Sequence, residues 1–225
     1  MHNSVSTLIG KGLYDYAFAA RIVGVKTRRL KRWIGISDNS SPVFSSDSPV
    51  SETVTFMELM ELMFIGMFRK EGVPLQTIRQ AAIAASIKFK THHPFAVKRF
   101  DTDGKAIFAT LRKKETDREV LEDLASGQLV FETIIKPFFH KIEYESTEVD
   151  DALRYWPFNR NGRVVLDPSR RLGQPIDAET GVPTSALAEA VEATGTRDVA
   201  QVAKWFDVPT SAVLAAVEFE RSLTI

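Results

Sequence analysis

Five of the seven residues from Lys26 to Arg32 are basic: Lys26, Arg28, Arg29, Lys31 and Arg32, with Thr27 and Leu30 between them and no acid. Side chains of that charge can hold phosphates, and Arg or Lys can also donate to the acceptor edge of guanine in the major groove of DNA. Other chemistry is thinly supplied. The chain has no cysteine, which excludes disulfides, thiolate metal sites and thiol nucleophiles and fits a reducing cytosol. The histidines are His2, His92, His93 and His140. Only His92 and His93 are neighbours, and adjacent side chains of an extended chain point apart, so the pair reads as a loop before Pro94. The acidic pair Asp150-Asp151 has no convergent partner near it in sequence. No Gly-rich phosphate loop, nucleophile elbow or His-Glu-x-x-His run occurs. No metal or cofactor is expected, and an enzyme would lack a catalytic set.

The basic run needs a scaffold, and the residues around it supply one. A helix-turn-helix starting at Tyr16 requires small or apolar residues where its two helices cross and a tight turn between them. Ala19, Ala20 and Val23 fill the inner face of the first helix, and Gly24 stands where the turn needs positive φ. Val25, Leu30 and Trp33 complete the core, and Thr27 is expected to cap the second helix. The same template fits near the C-terminus, with Val202, Ala203, Phe206, Val208, Val213 and Ala216 in the core positions and Asp207 at the turn. Its second helix, from Thr210, has no basic residue before Arg221. Such a helix repels phosphate and suits packing or protein contact instead.

Charge divides the chain in the same way. Residues 1–114 hold 18 Lys+Arg against 9 Asp+Glu, and residues 115–225 hold 11 against 20. A balance of +9 followed by −9 points to a polyanion-binding half joined to an acidic one. The longest apolar stretch, Phe56 to Phe68, contains Glu58 and Glu61 and is too short and too charged to span a bilayer. No basic-then-apolar leader opens the sequence, so a cytoplasmic protein without a membrane partner is expected.

The remaining pattern predicts a loop or wing over 36–51 and a helix over 52–70, capped by Ser51 or Thr53 with Glu52 nearby. Phe56, Leu59, Met60, Met63 and Met67 line one face of that helix, while Met57, Leu62, Phe64, Ile65 and Phe68 cover much of the rest. It reads either as a central core helix or as a dimer seam. A second helix is predicted from Leu75 to Phe89. Residues 94–111 read as strand, Asp103-Gly104 turn, strand, which would place Lys98, Arg99 and Lys105 on a hairpin that touches phosphate. A charged helix over 115–125, a short strand over 163–168, and helices near 184–194, 197–206 and 210–222 follow. Within the acidic stretch 115–154 and just after it, Phe138, Phe139, Tyr144, Tyr155 and Trp156 are candidate aromatic anchors for a protein partner.

Residues 13–33, 56–82 and 93–108 together resemble the MerR-like domain of VapB-type antitoxins. Residues 162–219 look like the small antitoxin domain that accompanies PIN-like toxins. The second resemblance rests on Val164 to Leu166, Asp167-Pro168, Gly173-Gln174-Pro175 and Thr180-Gly181-Val182-Pro183. The family commonly has a Gly-Thr-Arg-type turn before Val-Pro, where this chain has Glu179-Thr180-Gly181. The resemblance implies a mainly α protein. A winged helix-turn-helix domain with a β-hairpin would occupy 1–114, a mixed acidic connector 115–157, and a helix-turn-helix-like domain 158–225. It also implies an antitoxin that binds a PIN-like ribonuclease, represses its own operon through operator DNA, and works as a homodimer or larger toxin–antitoxin assembly. A ligand-responsive MerR-like regulator with no toxin partner would share the first domain.

Overall fold

The computed structural model describes residues 10–36, 42–44, 46, 48–114, 135–145, 151–195 and 198–223. The elements in the first half are β1 (Tyr14–Asp15), α1 (Tyr16–Val23), α2 (Thr27–Trp33), β2 (Thr53–Val54), α3 (Phe56–Lys70), α4 (Leu75–Phe89) and α5 (Arg99–Lys114). Then come α6 (Lys136–Phe139), the strands β3 (Ile142–Tyr144), β4 (Ala152–Tyr155), β5 (Val164–Leu166) and β6 (Pro175–Asp177), and helices α7 (Thr184–Ala193), α8 (Val199–Phe206) and α9 (Thr210–Ser222). The described residues are therefore mainly helical, with two small antiparallel sheets. The expected helix over 115–125, most of the acidic stretch that contains it, His2 and Asp150 lie outside the described residues.

Helix α3 begins with a reciprocal cap. The Thr55 hydroxyl accepts from the Glu58 N–H at 3.3 Å, and the Glu58 carboxylate accepts from the Thr55 N–H at 2.7 Å. The cap is Thr55 rather than Ser51 or Thr53, because Thr53 and Val54 pair as β2 with Asp15 and Tyr14 of β1. Ten of its fifteen residues are buried, on faces all round the helix, so the chain's own packing covers α3 and it is a core helix. Helix α1 crosses it at Gly66, where a Cβ would stand 2.7 Å from Val23 Cγ1.

The hairpin expected over 94–111 is not formed. Residues 99–114 are the helix α5, and its buried positions Phe100, Gly104 and Ile107 follow helical spacing, not alternation. Phe100 packs edge-on against Phe64 at 6.2 Å and lies 4.8 Å from Phe95, ring centre to ring centre. Asp103, read as part of a turn, pairs instead with Lys88 of α4 at 2.7 Å. Asp-Gly favours a tight turn locally, but burial of this apolar face decides the outcome.

Residues 135–145 and 151–155 contribute to the same core. Phe138 and Phe139 lie 5.1 and 4.9 Å from the Phe64 ring, Tyr155 is 5.4 Å from Phe138, and Tyr144 is 6.1 Å from Phe139. Phe138, Phe139 and Tyr155 are buried and Tyr144 and Trp156 partly so. Phe138, Phe139, Tyr144 and Tyr155 thus pack within the chain itself, and Trp156 is partly buried.

The four-stranded sheet runs β3-β4-β5-β6 with every neighbour antiparallel. Two aspartates tie its loops. Asp177 accepts from Arg163 (2.7 and 3.1 Å) and from the Thr180 N–H and hydroxyl (2.9 and 2.8 Å). Asp167 accepts from Arg154 at 2.8 Å and from Ser169 through its N–H and hydroxyl at 2.9 and 2.5 Å. Burial pushes both carboxyls up, but these bonds outweigh it and hold each below the ordinary range. The Asp-Pro and Thr-Gly-Val-Pro segments are therefore structural.

The larger core runs from Tyr14 to Leu166 and takes in Phe219 and Leu223 from the C-terminal end, while Leu187, Val191, Val202, Ala203, Val208, Ala212, Val213 and Ala216 form a second core. The Leu13 N–H donates to the Leu172 carbonyl at 2.8 Å. Gly173, at φ 86°, lies so close to Tyr14 that any Cβ there would meet the tyrosine hydroxyl.

One buried acid gives the fold a pH dependence. Glu61 of α3 is 1% exposed; its Oε1 accepts from the N–H groups of Phe95 and Ala96 at 2.6 and 3.2 Å. Its Oε2 has no partner among the described residues. Burial pushes its pKa up from 4.5 to about 8, with the two backbone bonds opposing. Because the folded pKa is the higher one, the folded state keeps a proton that the unfolded chain releases. Stability is therefore expected to fall as pH rises between about 4.5 and 8. Glu61→Gln keeps an acceptor for both N–H groups and removes the titration. Urea unfolding at pH 5 and pH 8.5 should show a drop of roughly 2 kcal/mol or more in the wild type, at about 1.4 kcal/mol per unit of pKa. That loss should be largely absent in the variant; equal losses would rule out Glu61 as its source.

Candidate nucleic-acid interface

Asp15 caps α1 by accepting from the Phe18 N–H at 2.8 Å. The helix ends at Gly24 in the left-handed region (φ 73°), whose N–H donates to the carbonyls of Ala20 and Arg21. The Val25 N–H closes the turn on the Ala20 carbonyl at 2.9 Å. Lys26, extended at φ −67° and ψ 141°, then occupies the N-cap position of α2 with no side-chain bond. Thr27 is the first helical residue, one position past the cap expected of it. Ala19, Ala20, Leu30 and Trp33 are buried at the crossing, as their sizes require.

With Leu30 and Trp33 turned inward, the basic residues must face out. Lys26, Arg28, Arg29 and Arg32 are exposed, and Thr27 and Lys31 partly so. Lys31 turns toward Tyr16 and Glu52, with its Nζ 5.3 Å from the ring centre and 3.7 Å from the carboxylate. The two outward edges of α2 therefore differ. The Arg28/Lys31 edge lies beside an acid, whereas the Arg29/Arg32 edge opens on a cleft of about 600 Å³. Arg69 and Lys70, from the last turn of α3, line the same cleft, and no acid is among its described lining residues. These two residues escaped the sequence reading; the signal was a basic pair immediately before Glu71-Gly72. Lys98, Arg99 and Lys105 are exposed on α5 and the turn before it, but none lines this cleft.

Helices α8 and α9 repeat the backbone of α1 and α2 at a constant offset of 183 residues. Asp198 caps α8 through the Gln201 N–H at 2.9 Å as Asp15 caps α1. Asp207 takes the left-handed conformation of Gly24 (φ 52°), and the Val208 N–H bonds to the Ala203 carbonyl at 3.0 Å. The surface is different. Leu214, 56% exposed, stands where Lys31 stands, and Trp205 on α8 is 60% exposed. One backbone motif thus presents cations at one end of the chain and apolar side chains at the other.

Among the described residues no group of three or more His, Asp or Glu side chains could hold a metal ion, and no helix is long and apolar enough to cross a membrane. No protein-family model matches the chain. Over 134 residues it is 30% identical to a curated protein of Mycobacterium tuberculosis named "Putative antitoxin VapB45". The match covers 56% of this chain and 55% of the relative, so the chain spans about half of that relative's length. A solved structure, the X-ray crystal structure of Rv2018 from Mycobacterium tuberculosis, shares the fold. Its TM-score is 0.70 over 91% of this chain and 96% of that one, at 21% identity.

Proposed function

We propose that this protein is an antitoxin of a type II toxin–antitoxin system, which represses its own operon by binding operator DNA and neutralises a PIN-like ribonuclease by direct contact. The observation that carries the reading is the pairing of a correctly built helix-turn-helix with an outward face of Lys26, Arg28, Arg29 and Arg32. The similarity to the mycobacterial protein named as an antitoxin supports it independently. Helix α2 enters the major groove as the recognition helix, and a homodimer places two copies on a two-fold operator. No metal or cofactor takes part.

The protein-facing half is the C-terminal unit. With Phe138, Phe139 and Tyr155 committed to the core, the exposed apolar side chains Trp205 and Leu214 are the better anchors for the toxin. Co-expression of the tagged chain with the adjacent open reading frame tests this. A small partner that co-purifies, and whose growth arrest the chain relieves, is the expected result. Trp205→Ala with Leu214→Ala should release that partner while promoter binding stays. A chain that shifts its promoter yet captures and rescues nothing would contradict the antitoxin reading.

A further inference from the structure

We propose that the cleft between α2 and the end of α3 is a seat for phosphodiester backbone, with Lys70 and Arg69 holding the DNA strand that flanks the groove read by α2. Four cations from two elements, Arg29, Arg32, Arg69 and Lys70, share this cleft, and none of its described lining residues is an acid. Like charges gathered this way repel one another weakly in water and are relieved when a polyanion releases its counterions on binding them. The guanidinium of Arg69 is already placed, since its Nη1 donates to the Val73 carbonyl at 2.6 Å. That bond spans the turn made by Gly72 (φ 87°) and closed by the Val73 N–H on the Phe68 carbonyl at 3.0 Å. Holding the side chain before binding lowers the entropy lost on contact.

The position matters as much as the charge. The hairpin expected to supply phosphate contacts is the helix α5, and Lys98, Arg99 and Lys105 are not among the residues lining the cleft beside α2. The Arg29/Arg32 edge of α2 continues into the further cations Arg69 and Lys70; the other edge meets Glu52. At about 600 Å³ the cleft is many times larger than one phosphate, which suits a run of backbone groups over a single bound ion. The cations come from a helix end and a recognition helix, so the seat fixes how α2 is oriented in the groove and carries no base readout of its own.

This inference rests on the DNA-reading role proposed for α2, and the test separates the two. The full chain is titrated by fluorescence anisotropy with its own promoter duplex and a shuffled duplex across a salt series. Lys70→Ala is expected to weaken both duplexes by the same factor and to reduce the slope of log affinity against log salt by about 1. Arg28→Ala should instead narrow the ratio between the duplexes. Arg69→Lys, which keeps the charge, should retain the wild-type slope. An unchanged slope for Lys70→Ala, with promoter binding intact, would overturn the seat and leave the reading role standing. Absence of wild-type binding to either duplex would overturn both. A parallel titration with inorganic phosphate follows tryptophan fluorescence, since Trp33 lines the cleft. Saturable quenching that Lys70→Ala abolishes would reassign the cleft to a free anion; no saturation is expected.

Discussion

Phe64→Ala is expected to lower the unfolding free energy by about 3–5 kcal/mol, the usual cost of emptying a large aromatic site in a packed core. Phe64 is fully buried in α3 and is the ring at which three elements meet. It faces Phe100 of α5 at 6.2 Å and Phe138 and Phe139 of α6 at 5.1 and 4.9 Å. Partial collapse is hindered because the surrounding rings also pack on one another, Phe95 on Phe100 and Phe138 on Tyr155. Phe139→Ala should destabilise by a similar amount. Equilibrium unfolding in urea measures both. If Phe139→Ala kept stability within about 1 kcal/mol but lost a protein partner, the aromatics of this segment would be an interaction surface after all.

The other large effect concerns binding. Arg28→Glu combined with Arg29→Glu is expected to weaken promoter binding at least about 100-fold, since a good base contact from Arg28 contributes roughly 1–3 kcal/mol and both new acids repel phosphate. Both side chains are exposed, so stability should change little; exposed substitutions usually stay within about 0.5 kcal/mol. The pair of measurements, anisotropy and unfolding, separates lost contact from lost fold. Promoter affinity within about threefold of the wild type would exclude α2 as the recognition helix, given the expected size of these contacts.

The helix-turn-helix was legible because its requirements are local. Small residues at 19 and 20, a glycine at 24 and inward Leu30 and Trp33 are constraints of one short stretch, and the basic face is what those constraints leave outside. The same template located α8 and α9 and the left-handed Asp207. Caps were less legible. Thr55 starts α3 only because Thr53 and Val54 are taken by pairing with a strand far away in sequence, and Thr27 falls one residue inside its helix.

The larger errors came from tertiary packing. Nothing local at Asp101 to Gly104 reveals that Phe100 and Ile107 will be buried against α3 and α4, so the turn signal looked decisive. Aromatics in an acidic stretch looked like anchors because exposure is not written in residue type. Arg69 and Lys70 are distant from Arg29 and Arg32 in sequence and become neighbours only through the approach of α1 to α3 at Gly66.

The most direct test of the account is a titration of the full chain with its own promoter and a shuffled duplex of equal composition, read by anisotropy at physiological salt. A preference for the promoter of about 1,000-fold or more is expected, the lower end of what specific operator binding usually shows, together with affinity that falls steeply as salt rises. Equal affinity for the two duplexes, or no saturable binding to either, would contradict the claim that the basic helix-turn-helix reads DNA.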